Sequence, residues 1–195
     1  MIVSQFGVES WMDQYEEGAK YNITDTCAKP LSLAELFSLA GEDRTDFMDR
    51  FFEREQTYGT IFGSEKVKKE ISRLYESISP EEILTEHGAT GGNQHIFFSL
   101  IRPGDRVIAF SPSYQQFYSA PEALGAEVTV LRLRRENGYL PDLDELSQAA
   151  ARGVRMICLN NPNNPTGTLI PSDMLKDSVT IARQSGAYVF CDEAH

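Results

Sequence analysis

From Ile83 to the last residue the sequence alternates short apolar runs with longer stretches of helical periodicity, and no other feature restricts the fold as tightly. Residues 83–86 predict a strand, Gly88-Ala89-Thr90-Gly91-Gly92 a loop, and residues 94–101 an apolar helix. Pro103-Gly104-Asp105 turns the chain into a strand over residues 106–110. A helix over 114–124 and a strand over 127–133 follow. Asn137-Gly138 marks a turn, 142–151 a helix, 154–159 a strand, 172–185 a helix and 187–191 a last strand. Strands joined through helices need crossovers, and right-handed crossovers lay the strands parallel with helices on both faces. The expected fold class is therefore α/β, a three-layer αβα sandwich around a mostly parallel sheet.

The chain before Ile83 has a different pattern. Phe6, Val8, Trp11, Met12 and Tyr15 recur at roughly helical spacing. Residues 31–39 predict a short helix capped by Ser32, with Glu35 three residues on completing a capping box. Tyr58-Gly59-Thr60-Ile61-Phe62-Gly63 then leads into a helix over 65–75, with Val67, Ile71, Leu74 and Tyr75 on one face. The division expected is an arm and small-domain segment over residues 1–50 and a larger domain over 51–195.

Of the 195 residues, 41% are apolar, enough for a core, and the net charge of −11 argues against a nucleic-acid or anionic-membrane surface. No apolar run is long enough to span a bilayer. The first residues lack a basic stretch followed by an apolar one, so no secretory signal is expected. Asn22-Ile23-Thr24 matches a glycosylation acceptor, a chance match in that setting. Cys27, Cys158 and Cys191 show no metal-ligand spacing, and no metal site is expected. Their small number fits a reducing, cytoplasmic compartment.

The chemistry gathers at the ends of the predicted strands. Asn160-Asn161-Pro162-Asn163-Asn164-Pro165-Thr166-Gly167 follows one of them. Each proline fixes φ, removes a donor and pushes its predecessor out of the helical region, so the segment is a rigid loop at a strand's carboxyl end. Open α/β sheets bind ligands there. Gly88-Ala89-Thr90-Gly91 joins a predicted strand to a helix and offers backbone N–H groups to an anion. It has neither the Gly-Lys-Ser/Thr of a Walker A loop nor dinucleotide glycine spacing. Ser111-Pro112-Ser113-Tyr114 ends the next strand, and Asp192 ends the last. Taken singly, these are a tight turn, a strand–helix loop, a packing aromatic and a structural carboxylate.

Together and in this order, they resemble the class I/II aminotransferases of the fold-type-I family of pyridoxal-phosphate (PLP) enzymes. The resemblance implies the family's large PLP-binding domain. It implies that Ala89, Thr90 and Gly91 bind the cofactor phosphate, that Tyr114 stacks on the pyridine ring and that Asn164 donates to the phenolic oxygen. By the same resemblance, Asp192 is expected to pair with the ring nitrogen and to be the catalytic carboxylate. The resemblance also implies that Tyr58, in the Tyr-Gly-x-x-x-Gly pattern, reaches a neighbour's cofactor phosphate in a homodimer. The substrates implied are an amino acid and a 2-oxo acid.

The sequence departs from the family in two places. His195 stands where many aminotransferases have a tyrosine; an imidazole makes the same bond to the phenolic oxygen, but histidine here also resembles PLP-dependent C–S lyases, which perform β-elimination. The family's Schiff-base lysine lies after the aspartate, whereas Lys20, Lys29, Lys66, Lys68, Lys69 and Lys176 all precede Asp192. The substrate-carboxylate arginine is also missing. The expectation is a truncated large domain, inactive alone. Two readings from other classes are a non-catalytic domain of the same fold and a nucleotide-binding protein, since Asp192-Glu193-Ala194-His195 spells a helicase Walker B box. The latter needs a Walker A loop, which the sequence lacks.

Overall fold

The computed structural model describes residues 4–23 and 27–195, so Thr24 of the acceptor triplet lies outside the described residues. Four strands form one sheet: β1 Arg106–Ser111, β2 Glu127–Arg132, β3 Met156–Asn160 and β4 Tyr188–Asp192. Their order is β2-β1-β3-β4 and every pairing is parallel. The central strand β3 is buried along its whole length, as a strand covered on both faces must be.

Alternation along the strands sorts the side chains into two cores. Val107 and Ala109 of β1 and Met156 and Cys158 of β3 join Phe97 and Ile101 near the end of α5 (Gly88–Leu100), and Phe117 and Ala120 of α6 (Gln116–Ala123). Ile108 and Phe110, with Ile157 and Leu159, face the other way. There they meet Leu146 and Ala150 of α7 (Leu143–Ala150) and Ala182 of α8 (Ser172–Ser185). The αβα sandwich expected from the sequence is thus built by the two-residue period of the strands.

The chain divides into two compact units. One holds the sheet: it comprises His87–His195 and the described residues before Cys27. Helix α1, Gly7–Tyr15, belongs to it, and Gln115 clasps the entry to that helix. The Gln115 side-chain amide donates to the Gln5 carbonyl (2.9 Å), and its oxygen accepts from the Gly7 N–H (3.0 Å).

The second unit is Cys27–Glu86. Helix α2, Leu33–Ala40, has the expected capping box: the Glu35 N–H donates to Ser32 Oγ, and the Glu35 carboxylate accepts from the Ser32 N–H. Helix α3, Arg44–Phe52, is capped by Asp43, and α4 spans Glu65–Ser72. Gly63 has φ +89, and a Cβ there would come within 2.9 Å of Thr85 Cγ2 and closer still to its Oγ1. The second glycine of Tyr58-Gly59-Thr60-Ile61-Phe62-Gly63 is therefore required by a close approach as well as by its backbone angle.

Two local expectations are corrected. Residues 83–86 form no strand: a 3-10 turn over Pro80–Glu82 precedes them, Gly88 turns at φ +75 just after, and Leu84 is exposed. Too little chain is left there to pair. The glycine-rich stretch from Gly88 is the first turn of α5, not a loop ahead of it. The low helix propensity of glycine is overridden by the burial of Asn93 and Phe97 farther along the helix.

Candidate functional site

The strand order places the site. β2 lies on one side of β1 and β3 on the other, so the chain reverses its direction of travel across the sheet between β1 and β3. Loops leaving the carboxyl ends of these strands diverge and open a crevice, where α/β sheets bind ligands. Ser111-Pro112 leaves β1, and the Asn-Pro segment leaves β3. Asn163 ties the two together, its side-chain amide donating to the Pro112 carbonyl (3.2 Å) and to Thr166 Oγ1 (2.7 Å).

Four asparagines crowd this loop, and three have structural tasks. Asn160 pairs in register with Asp192, donates to the Asp192 carbonyl (3.1 Å) and accepts from the Asn164 N–H (2.6 Å). Asn161 accepts from the Ile170 N–H (2.8 Å), and Asn163 makes the bridge just described. Asn164 is held by its backbone, while its half-buried side chain bonds to no other described residue. It lines a pocket of ≈ 160 Å³ together with Pro162, Asn163, Pro165, Gly167 and His195. The structure thus brings Asn164 and His195 to one cavity.

Asp192 ends β4 and is 8% exposed. One carboxylate oxygen accepts from the Asn93 amide (2.7 Å) and the other from the Ala194 N–H (3.0 Å). No described residue forms an ion pair with it. A buried carboxylate without a cation is costly. The arrangement fits a ligand that brings its own positive charge.

Helix α5 opens on the same crevice. His87 supplies no side-chain cap to its first turn, and a Cβ at Gly91 would meet open space. Uncapped N–H groups at a helix N-terminus, with room for close approach, suit an anion. Thr90 Oγ1 lies 3.4 Å from the Tyr114 hydroxyl, which joins this turn to the β1 loop. The Tyr114 ring packs edge-on to Phe6 (5.5 Å) and Phe117 (5.9 Å), which fixes its orientation. The residues present fit a flat heterocycle with a cationic ring atom and an anionic tail.

Tyr58 belongs to the other unit, where its side chain is fully exposed. Lys176 is exposed, as a solvated charge would be. Asn93 and Gln116 are site residues absent from the sequence expectations, and Asn160 enters those expectations only as part of the loop. Asn93 had a usable signal: it lies one turn before the buried Phe97 on the same face of α5, and a polar side chain there needs a partner.

The strand cysteines take no part. Burial pushes the Cys158 thiol far up, and burial reinforced by the Glu193 carboxylate pushes that of Cys191 up to about 12. A raised thiol pKa keeps the group protonated below that value, so at pH 8 Cys191 is the thiol and not the reactive thiolate. Iodoacetamide at pH 8 is expected to label the exposed Cys27 in the folded chain and to leave Cys158 and Cys191 unlabelled until denaturant is added. Peptide mass mapping reads the result; fast labelling of Cys191 would contradict it.

Comparison with known proteins identifies the family. Residues 48–195 match the family model described as aminotransferase class I and II. Among curated proteins, the LL-diaminopimelate aminotransferase of Syntrophobacter fumaroxidans is 35% identical over 114 residues, covering 58% of this chain and 29% of that protein. The aspartate aminotransferase of Pyrococcus horikoshii is 33% identical over 118 residues, covering 60% of this chain and 30% of that protein. Among solved structures, a PLP-dependent aminotransferase from Streptococcus suis 89-1591 superposes with a TM-score of 0.95 at 44% identity, over 99% of this chain and 52% of that one. This chain therefore spans about half of that solved chain, and its matches cover less than a third of those curated relatives.

Proposed function

We propose that this chain, which belongs to the class I and II aminotransferases, is the cofactor-holding part of an enzyme that moves an amino group between an amino acid and a 2-oxo acid. The cofactor is pyridoxal phosphate. The observation that carries the reading is the buried Asp192 carboxylate, without a cationic partner among the described residues, at the strand end beside the cavity of Asn164 and His195.

In this reading Asp192 holds a proton at the cofactor's ring nitrogen. The bound cofactor then supplies an electron sink for the Cα of the amino acid. The first turn of α5, with Ala89, Thr90 and Gly91, binds the phosphate through backbone N–H groups. Tyr114 lies along the ring and fixes its plane. Asn164 and His195 direct hydrogen bonds to the phenolic oxygen; the side-chain amide of Asn164 is suited because nothing else in the described chain engages it. Tyr58, exposed in its own unit, reaches the phosphate of a second subunit in a homodimer. We place the enzyme in the cytoplasm, a reducing compartment that suits its few cysteines; separately, no helix among the described residues is long and apolar enough to cross a membrane.

The lysine that anchors the cofactor is not among these residues, since every lysine here precedes Asp192. The 195 residues alone are therefore expected to show no turnover. The test of function uses the full-length enzyme with PLP and a panel of amino acids. Keto-acid formation that requires an added 2-oxo acid, with that acceptor recovered as its amino acid, is the expected result. Release of pyruvate and ammonia without an acceptor would instead identify a C–S lyase, the chemistry His195 also resembles.

A further inference from the structure

The Asp192 carboxylate is linked to the anion-binding turn by a chain of three hydrogen bonds whose direction is fixed. The Asn93 Nδ2 group donates to Asp192 Oδ2 (2.7 Å) and to Gln116 Oε1 (3.1 Å). The Gln116 Nε2 group donates to the Thr90 carbonyl (2.9 Å). Asn93 and Gln116 are 6% and 3% exposed, so water does not substitute for these bonds. An ionised carboxylate only accepts, and so does a backbone carbonyl. Asn93 must therefore present its NH₂ to Asp192. Gln116 must present its oxygen to Asn93 and its NH₂ to Thr90. Both hydrogens of the Asn93 amide thus have an acceptor, Asp192 Oδ2 and Gln116 Oε1, and the Gln116 amide has one, the Thr90 carbonyl.

From this we propose that Asn93 is a positioning residue that keeps the Asp192 carboxylate aimed at the cofactor ring nitrogen, with Gln116 as the relay that couples this carboxylate to the phosphate-binding turn at Thr90. The inference rests on the PLP reading above. It adds that the two ends of the cofactor are held by one buried polar chain rather than by independent contacts. Asp192 lies on β4, Asn93 and Thr90 on α5, and Gln116 on α6, so the chain also spans three elements. Removing the Asn93 donor takes a charge-assisted bond from the carboxylate and frees it to turn away from the ring nitrogen. Without an aimed anionic partner the ring nitrogen holds its proton less tightly.

The experiment uses the full-length enzyme reconstituted with PLP labelled with ¹⁵N in the ring. The ¹⁵N chemical shift reports whether the ring nitrogen carries the proton, independently of turnover. Wild type is expected to give a pyridinium signal. Asn93→Leu, close in shape but without donors, is expected to move it toward neutral pyridine and to weaken PLP binding roughly 10- to 100-fold, the loss of one charged hydrogen bond. Gln116→Met keeps the Asn93–Asp192 bond. It is expected to weaken PLP binding less and to leave the nitrogen signal nearer wild type, and it provides the test if Asn93→Leu does not fold. Asn93→Leu with an unchanged nitrogen signal overturns the inference while leaving the PLP reading intact. For Gln116→Met, unchanged PLP affinity overturns the relay. Failure of wild type to bind PLP overturns the reading itself, and the inference with it.

Discussion

In the full-length enzyme, Asp192→Ala is expected to lower turnover about 10²- to 10³-fold while PLP still binds, the usual scale for removing one preorganised charge from an active site. The methyl group leaves the ring nitrogen without its anionic partner, while the phosphate contacts at α5 and the Asn164 bond are untouched. The loss should fall on kcat more than on KM, because the missing interaction strengthens as charge develops on the ring. Stability is a separate readout. Asp192→Asn keeps the shape, but its NH₂ must face either the Asn93 amide or the Ala194 N–H, and each of these donates to Asp192 in the native structure. In the absence of PLP it is therefore expected to be about 1–3 kcal/mol less stable than the parent, the cost of a buried donor left unpaired. Steady-state kinetics and urea unfolding of the two variants check both halves. A kcat near that of the parent would remove Asp192 from the mechanism.

The second large effect lies in the core beneath the site. Phe97 is fully buried and packs edge-on against Phe190 with centroids 5.4 Å apart. Phe190 sits two residues before Asp192 on β4, and Phe97 lies one turn beyond Asn93 on α5. This contact thus sets the distance between the helix and strand that the Asn93–Asp192 bond joins. Phe97→Ala is expected to cost about 3–5 kcal/mol, since it removes the ring and leaves a cavity. That is a large share of the stability of a domain this size. The urea midpoint should fall with little change in slope, and PLP affinity should weaken although Phe97 touches no ligand. If PLP affinity in the folded fraction equals that of the parent, the core does not hold the site in register.

Much of this was legible in the sequence because the strands are short and strongly apolar. The strand ends carrying Ser111, Asn160 and Asp192 follow from β-periodic runs that stop at Pro, Asn and Asp. The Ser32 capping box is visible because its two bonds are local in sequence. Asn164 and Asp192 could be singled out from motif order. What was hidden depends on contacts distant in sequence. Residues 83–86 look like a strand by composition, but a strand exists only if a neighbour pairs with it, and none among the described residues does. The turn at Gly88 looks like a loop because glycine disfavours helices, yet burial farther along α5 decides the matter. Helix α3 carries Phe47 and Phe51 one turn apart behind the Asp43 cap, a signal weakened by the charges among them. Asn93 meets Asp192 across 99 positions, a partnership no local pattern encodes.

The central claim is that one PLP molecule lies in the crevice between the first turn of α5 and the carboxyl ends of β1, β3 and β4. A crystal structure of the full-length enzyme grown with PLP tests it most directly. The expected result is the ring nitrogen hydrogen-bonded to Asp192, the ring against Tyr114, the phenolic oxygen facing Asn164 and His195, and the phosphate on the N–H groups of Ala89, Thr90 and Gly91. A cofactor bound elsewhere on the chain, or bound here with Asp192 turned away from the ring nitrogen, would contradict it.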